Sequence, residues 1–340
     1  MKISLFANEE RTAKREHLGD PLQKLDQAID FAALAAAVDA KLVIGDSGRG
    51  GRPPYPTELM IRLLVVQQLY NLSDDALEYQ LLDRASFLRF AGLEKSGRVP
   101  DAKTIWVWRE RLQKQDLIGD ISEAIGQQLA QAGFIARGGQ IIDASIVPAP
   151  VQHNHSAENE AIKRGEVPEG WSAAKRAQKD VEARWTKKHG KSYYGYKLHA
   201  NTDRRWGFIR EFDVTTASVN DTEVFESILD ATNTCKDIYA DRGYAKQARE
   251  VDLRAQGYCP KIQRKGTAQR PASEAQQRRN HRLAKQRAFG EHPFARLTQM
   301  GGKHLRTIGL ARARAVIELK VIAHNVMHLA RLKHRGIVPA

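Results

Sequence analysis

The spacing of apolar residues changes once along this 340-residue chain, near three glycines at positions 133, 138 and 139. Before these glycines, apolar residues recur every three to four positions, as they do on one face of a helix. After them, apolar and polar residues alternate with the period of two that is typical of a strand. We therefore predict an all-helical domain over residues 1–135 and a domain with a sheet over residues 136–340.

Capping residues divide the helical domain. Thr57 can cap one helix, and Ser73 precedes two aspartates that suit the positive end of the next. Residues 1–20 are predicted to be an arm or a frayed helix. The other predicted helices cover 21–45, 57–70, 73–92, Thr104–Gln113 and 118–132. The segment 57–91 fits either a helix-turn-helix-like unit that binds DNA ends or a bundle for packing or dimerisation.

Five strands and two intervening helices are predicted in the second domain. The strands cover 139–147, 193–203, 207–216, 236–240 and 258–263, and the helices cover Asp221–Ala231 and Ala245–Gln256. The polar stretch 150–190 has no apolar period and is predicted to be an exposed or mobile insertion. From about residue 275 the chain is helical again. This order predicts an α+β chain whose mixed α/β sheet carries helices on its faces.

Three acidic residues stand out in this order. Asp143 lies within the first predicted strand, Asp241 follows the fourth, and Glu291 lies on a basic helix after the fifth. A carboxylate in a β-branched run is costly to bury unpaired. If the first and fourth strands are neighbours, the two aspartates meet, and a helix across that end can deliver Glu291. This ribonuclease-H-like arrangement would make a divalent-cation cage suited to phosphodiester chemistry.

Each acid also has a simpler interpretation. Asp143 can cap the turn after its strand, and Asp241 can serve as a turn residue paired with Arg242. Glu291 can pair with Arg287 along one helix. The sequence alone leaves both sets of interpretations open.

The positive charge is concentrated at the C-terminal end. The chain has a formal net charge of +14 and a pI near 9.7. Residues 261–340 hold eighteen Lys and Arg residues against three acids, so the first 260 residues are close to neutral. This distribution predicts a polyanionic partner, although a solvated basic surface would look similar. We expect no membrane span, a cytoplasmic location and reduced core thiols at Cys235 and Cys259.

Several short motifs are similar to those of a known family. In the catalytic half they are Ile142–Ser145, Gly195–His199, Ala240–Tyr244 and Glu291–Ala295. In the helical half they are Leu72–Leu77, Arg84–Leu93 and Val99–Trp106. In this order the motifs resemble those of the DDE transposases of bacterial insertion sequences, specifically the IS-five group, over nearly the whole chain.

The resemblance implies a ribonuclease-H-like catalytic domain that cleaves DNA strands and joins them to a target. Its expected catalytic residues and metal ligands are Asp143, Asp241 and Glu291, which would hold two Mg²⁺ ions that Mn²⁺ can replace. Expected contacts to DNA phosphates come from Arg287, Arg242, Lys197 and Arg296. The expected partners are double-stranded DNA with terminal inverted repeats, target DNA and a second copy of the chain on that DNA. The resemblance also implies a bacterial, nucleoid-associated protein.

The chain departs from the family pattern at two positions. The family has an arginine four residues before the glutamate, which Arg287 matches before Glu291. It often also has Tyr three residues before that arginine and Lys seven residues after the glutamate, whereas this chain has Ala284 and Thr298. Glu318, with Arg314 four residues before it, is a competing third acid. Two other functions therefore stay open: a nuclease that cuts without joining, and a catalytically inactive DNA-binding protein derived from a transposase.

Overall fold

The computed structural model describes residues 4–44, 53–188, 190–266, 269, 271–302 and 305–339. The chain forms two compact units. The helical unit comprises Met1–Gly133 and Ile322–Ala340, and the sheet unit comprises Phe134–Val321. The sequence-based second domain ran to residue 340, whereas residues 322–340 pack with the N-terminal helices. One contact of this packing is the Lys333 ammonium, which donates to the Ala28 carbonyl at 2.8 Å.

The described residues of the helical unit form several short helices. They are α1 (Ala7–Leu18), α2 (Pro21–Ala28), α3 (Phe31–Asp39), α4 (Thr57–Leu69), α5 (Asp74–Asp83), α6 (Ala85–Phe90), α7 (Ala102–Lys114) and α8 (Ile118–Gln131). The single helix predicted over 21–45 is two helices, because the Asp30 carboxylate accepts from the Ala33 N–H at 3.0 Å and starts α3 anew. In the same way, the helix predicted from Ser73 to Gly92 is divided at Arg84.

The sheet unit is built on six strands. They are β1 (Gln140–Pro148), β2 (Arg184–Lys188), β3 (Lys191–Asp203), β4 (Ile209–Thr216), β5 (Asp237–Ala240) and β6 (Cys259–Ile262). The strand order is β2-β3-β1-β5-β6, with β4 paired to β3. β1 and β3 are antiparallel, whereas β1 and β5 are parallel, as are β5 and β6. The predicted fold class is confirmed, including the adjacency of the first and fourth predicted strands.

Helices cover both faces of this sheet. In the sheet unit they are α9 (Ser156–Lys163), α10 (Ala173–Gln178), α11 (Gln247–Ala255), α12 (Glu274–Arg287), α13 (Glu291–Gln299) and the first half of α14 (Leu310–His334). Ile142 packs with Leu253 of α11 on one face, which we call the α11 face. Its neighbour Ile141 packs with Leu283 of α12 on the other, the α12 face. Among the described residues, no helix is both long and apolar enough to cross a membrane.

Two sequence-based expectations are wrong in detail. The helix predicted over Asp221–Ala231 is only a 3-10 turn at Asp221–Glu223, which the Asn220 side chain caps. Phe225 and Ile228 after this turn are buried in the core of the α11 face. Cys235 and Cys259 are free thiols, but Cys259 is exposed and is therefore no core residue.

The polar stretch 150–190 is mostly exposed, as expected, and its described residues are also folded. It contains α9, α10 and β2, and one buried carboxylate anchors its end. Asp180 is 2% exposed. It accepts hydrogen bonds from the Tyr196 hydroxyl, at 2.9 and 2.7 Å, and from the Gly309 N–H at 3.2 Å. The same carboxylate accepts from the main-chain N–H groups of residues 182 and 183. A single acid thus joins this segment to β3 and to the start of α14.

We predict that Asp180→Ala lowers the free energy of unfolding by about 2–4 kcal/mol, because it leaves the buried Tyr196 hydroxyl and several N–H groups without acceptors. Urea denaturation would measure the loss. Glu160→Ala is the matched control, because this exposed acid of the same segment pairs only with Lys163 on its own helix. Equal stability of the two variants would contradict the anchoring role.

Candidate active site

Asp143 and Asp241 lie side by side on the α12 face of the sheet. Ile141 of β1 is paired with Tyr239 of β5 in the parallel ladder. Continuing this register by two residues brings Asp241, the first residue after β5, level with Asp143. Because side chains alternate along a strand, both aspartates share the face of Ile141 and Tyr239. The structure therefore brings together the two acids that the sequence placed on different strands.

Asp143 is a part-buried carboxylate with one cationic partner. Its Oδ2 accepts from Arg287 Nη2 at 3.0 Å, and its side chain is 28% exposed. Its Oδ1 accepts from the Ala144 N–H at 2.8 Å. Burial raises the pKa of Asp143 above its ordinary value, and the negative charge of Asp241 adds to the rise. Arg287, the Ala144 N–H and Lys188 oppose it without cancelling it, so this site favours additional positive charge.

Asp241 caps the turn that follows β5. Its Oδ1 accepts from the Gly243 N–H at 2.7 Å, which begins the 3-10 turn Arg242–Tyr244. The exposed side chain of Arg242 forms no ion pair with Asp241 in the described part of the chain. Asp241 is thus a turn residue, as one interpretation predicted, but its predicted ion pair with Arg242 is not formed among the described residues. The turn also holds the carboxylate at the end of the sheet where Asp143 lies.

Arg287 is held at the end of α12 by two partners. Its Nη1 donates to Gln263 Oε1 at 3.2 Å, while its Nη2 donates to Asp143. One turn earlier, Leu283 packs against Ile141 and Tyr239 and fixes the helix on the sheet. The motif arginine therefore reaches Asp143 from the face on which both aspartates lie. Gln263 carries no recognisable sequence signal, and its role as the second partner was not predicted.

Glu291 does not form a three-carboxylate group with the two aspartates. It is the exposed first residue of α13, and no group of three or more His, Cys, Asp or Glu residues in the described ranges is arranged to hold a metal ion. Its main chain nevertheless passes close to β1. A Cβ at the preceding Gly290 would lie 2.6 Å from Ile141 Cγ2, so only glycine fits there. The expected pairing of Glu291 with Arg287 is not formed, since Arg287 pairs with Asp143 instead. The competing Glu318 is half-buried on α14.

The three other expected phosphate contacts differ in placement. Arg242 is exposed beside Asp241, and Arg296 is half-buried on α13. Lys197 lies on the α11 face, because it pairs with Ile146, which is out of phase with Asp143 along β1. Its ammonium donates to the Val219 carbonyl at 2.6 Å and to Asp221 at 2.8 Å. The alternation of β3 could have revealed this placement from the sequence.

Two family models match the chain. A model described as a transposase domain (DUF772) matches residues 9–111, and one described as a transposase DDE domain matches residues 135–326, which is more than half of the chain. The chain is a DDE transposase by family. Proteins of this family function in DNA transposition, and the family is one of metal-dependent DNA-cleaving enzymes.

A solved structure of another transposase is also similar. It is the cryo-EM structure of the piggyBac transposase synaptic complex with hairpin DNA, at 14% identity and a TM-score of 0.43. The match covers 93% of this chain and 76% of that one. A TM-score this low does not support any statement about the function of this chain.

The residues at the site fit a divalent cation in part. Asp143 and Asp241 supply carboxylate oxygens on one face, and burial, together with the charge of Asp241, raises the pKa of Asp143. Mg²⁺ is commonly bound through one or two carboxylates together with waters and substrate phosphates. The two aspartates meet that requirement, whereas the third carboxylate does not join them in this structure.

A buried lysine lies further along β1 on the α12 face. Lys320 of α14 is 3% exposed, and its Nζ donates to the Met300 carbonyl at 2.8 Å. It lines a cavity of about 20 Å³ together with Ser145 and Thr298. Burial and, to a smaller extent, the positive charge of Arg306 together lower the pKa of Lys320 to about 8. Folding therefore buries the Lys320 ammonium, which has no carboxylate partner among the described residues.

We predict that Arg287→Met lowers the free energy of unfolding by about 1–3 kcal/mol at pH 7.5, because it leaves Asp143 unpaired. The loss should shrink toward pH 5. The folded-state pKa of Asp143 is already raised, and losing Arg287 raises it further, so protonation neutralises the carboxylate as the pH falls. Urea denaturation at both pH values tests this. In an Asp143→Asn background the Arg287 change should cost less, and an equal cost in both backgrounds would rule out the coupling.

We predict that Lys320→Met raises the free energy of unfolding by about 1–2 kcal/mol at pH 7, because an apolar side chain replaces a buried cation. The advantage should shrink as the pH rises from 8 toward 10.5. In that window the wild-type lysine is neutral when folded and protonated when unfolded, so wild-type stability increases. Denaturation across this range measures the effect. Lys285→Met, at an exposed lysine of α12, should show no comparable change.

Proposed function

We propose that this transposase catalyses Mg²⁺-dependent strand cleavage and strand transfer on double-stranded DNA at the ends of an insertion sequence. The observation that supports it most directly is the pairing of Asp143 and Asp241 on one face of the sheet, with Arg287 across from them. Two part-buried carboxylates with a single guanidinium partner make a site that favours a divalent cation and a phosphate together.

Phosphodiester cleavage is slow because the anionic backbone repels nucleophiles and the departing alkoxide is a poor leaving group. Bound Mg²⁺ supplies Lewis-acid stabilisation of both the entering and the leaving oxygen. Asp143 and Asp241 would hold it, with Glu291 as the proposed third ligand. Water attacks the phosphorus, the bond from phosphorus to the 3′ oxygen breaks, and a 3′-hydroxyl and a 5′-phosphate result. In the second reaction that hydroxyl attacks a target phosphodiester and displaces the 3′ oxygen of the target strand. Neither reaction requires a covalent intermediate with the protein.

We propose that Arg287 binds the scissile phosphate. It is the last residue of α12, and its guanidinium already forms a charge-assisted hydrogen bond to an oxygen of Asp143 at 3.0 Å. Once the charge of Asp143 is neutralised by cations, the same N–H groups can turn to a phosphate oxygen. Gln263 keeps the guanidinium from leaving the site because it accepts from the other terminal nitrogen.

The helical unit fits dimerisation better than the reading of DNA ends. Helix α5, which would be the second helix of a helix-turn-helix, carries Asp74, Asp75, Glu78 and Asp83 and no Lys or Arg. Such a helix is repelled by phosphates. Tyr79 and Leu82 are 64% and 66% exposed on it, as suits a surface covered by another protein chain. We therefore propose a homodimer on DNA, associated with the nucleoid, in which other residues contact the element ends.

Two observations favour a second candidate function. No described group of three acids is arranged for a metal, and Ala284 and Thr298 replace two motif residues of the family. A transposase-derived protein that binds DNA without cutting it would fit both facts. A nuclease that cuts without joining would differ only in the lack of a strand-transfer product.

The test uses labelled DNA carrying the element's own ends, with Mg²⁺ or with EDTA. We expect cleavage and joining only with Mg²⁺, and a loss of at least about 100-fold in Asp241→Asn, more than is usual for loss of an outer-shell partner. Glu291→Gln should lose activity to a similar extent, whereas Glu318→Gln should retain it.

Each other outcome has a defined meaning. Specific binding without cleavage under any metal would favour the inactive DNA-binding protein. Cleavage without a joined product would favour the nuclease. Loss in Glu318→Gln with retention in Glu291→Gln would move the third acid to α14.

A further inference from the structure

Three arginines from two parts of the sheet unit are held close together. Arg264 follows β6, while Arg279 and Arg282 lie one turn apart on α12. We call these three residues the arginine cluster. Arg264 and Arg282 are exposed, and Arg279 is half-buried. The proposal on this cluster rests on the function proposed above.

Asn280 fixes the two parts of the cluster to each other. Its side-chain amide donates to the Arg264 carbonyl at 2.8 Å, and its side-chain oxygen accepts from the Arg264 N–H at 3.1 Å. Arg279 Nη1 donates to the Ile262 carbonyl at 3.0 Å, which adds a second link. The main chain after β6 is therefore attached to α12 at two points. These bonds keep the arginines adjacent even though their charges repel.

Little negative charge compensates the cluster. Glu250 is the carboxylate that faces it, at 3.5 Å from Arg264, and Glu250 also pairs with Arg254 at 2.8 Å. Burial lowers the pKa of Arg279, and the charges of Arg264 and Arg282 lower it further against the pull of Glu250. The guanidinium of Arg282 forms no ion pair or hydrogen bond with any described residue. By contrast, Arg278 on the same helix has its own carboxylate, Glu274, at 3.1 Å.

The cluster is connected to the candidate active site. Gln263, between Ile262 and Arg264 in the chain, accepts the hydrogen bond of Arg287, which pairs with Asp143. Along α12, Arg279 precedes Arg287 by eight residues, or about 12 Å at 1.5 Å per residue. One strand of DNA advances about 3.4 Å per nucleotide along the helix axis. That separation corresponds to roughly three or four nucleotides.

We propose that Arg264, Arg279 and Arg282 form a subsite that binds backbone phosphates of the DNA strand a few nucleotides from the scissile bond. Repulsion among like charges disfavours the free protein, and a polyanion relieves it. The hydrogen bonds of Asn280 and Arg279 hold the cluster in place before DNA arrives. Because phosphates carry no base identity, the subsite fixes the position of the strand and not its sequence.

The test compares Arg282→Gln with Arg278→Gln in the full-length protein. Both remove one positive charge from α12, but Arg278 has Glu274 as a partner and lies outside the cluster. Binding to a duplex of the element end is measured between 50 and 200 mM salt without divalent metal. We expect Arg282→Gln to weaken binding several-fold and to reduce the slope of log K against log salt by about one, while Arg278→Gln leaves the slope unchanged.

A second readout separates a binding role from a structural one. Arg282→Gln should leave the melting temperature unchanged or raise it, because it removes repulsion and no hydrogen bond. The double variant Arg264→Gln with Arg282→Gln should lower the salt slope by about two. Equal slopes for the Arg282 and Arg278 variants, or a melting temperature that falls in parallel with binding, would overturn the proposal.

The outcomes also distinguish this proposal from the proposed function. If the cluster variants lower the salt slope but no variant or wild type cleaves DNA, the subsite stands and the catalytic function fails. If wild type cleaves and joins DNA with Mg²⁺ while the Arg282 and Arg278 variants bind alike, the function stands and the subsite fails.

Discussion

The parallel pairing of β1 with β5 is the constraint on which the candidate site depends. The two strands are far apart in sequence: Asp143 lies in the middle of β1, and Asp241 directly follows β5. Because the two strands are parallel, their register brings Asp143 and Asp241 level with each other on the α12 face. Helix α12 packs over that face through Leu283 and presents Arg287 to the acids. A shift of one residue in either strand would turn an aspartate to the opposite face.

The charged residues lie on the same elements, with acids on the sheet and arginines on α12. The sheet carries part-buried acids, and α12 above it carries most of the local positive charge, with Arg279 and Arg287 two turns apart. The contacts of Gln263 and Asn280 join the end of β6 to this helix, so the basic helix and the acidic sheet edge form one continuous surface. A phosphate strand lying along α12 would meet guanidinium groups first and carboxylates last. That order suits a substrate that is attracted over a distance and then held at the proposed metal site of the two acids.

Periodicity was sufficient to predict β1, β3, β4, β5 and β6, whereas the adjacency of β1 and β5 was only a condition for bringing the two aspartates together. It was insufficient where single polar side chains decide the structure. Asp30 divides a helix by capping the next one, and Asp180 anchors a stretch whose apolar residues show no period. Lys197 was assigned to the site by motif alone, although the alternation of its strand places it on the other face. Glu291 was assigned as the third acid from the family pattern. In the structure it is the exposed first residue of α13.

Gly290 determines how α12 and α13 can be joined. A Cβ at Gly290 would lie 2.6 Å from Ile141 Cγ2, so the site has no space for a side chain. The main chain between α12 and α13 therefore lies close to β1 at this residue. An α-helix turns by about 100° per residue. Inserting or deleting one residue between Arg287 and Glu291 would therefore swing the glutamate a quarter-turn or more around the axis. The number of residues between Arg287 and Glu291 therefore fixes the direction in which the glutamate points. An insertion there should be tolerated as poorly as a shift of one residue in a strand.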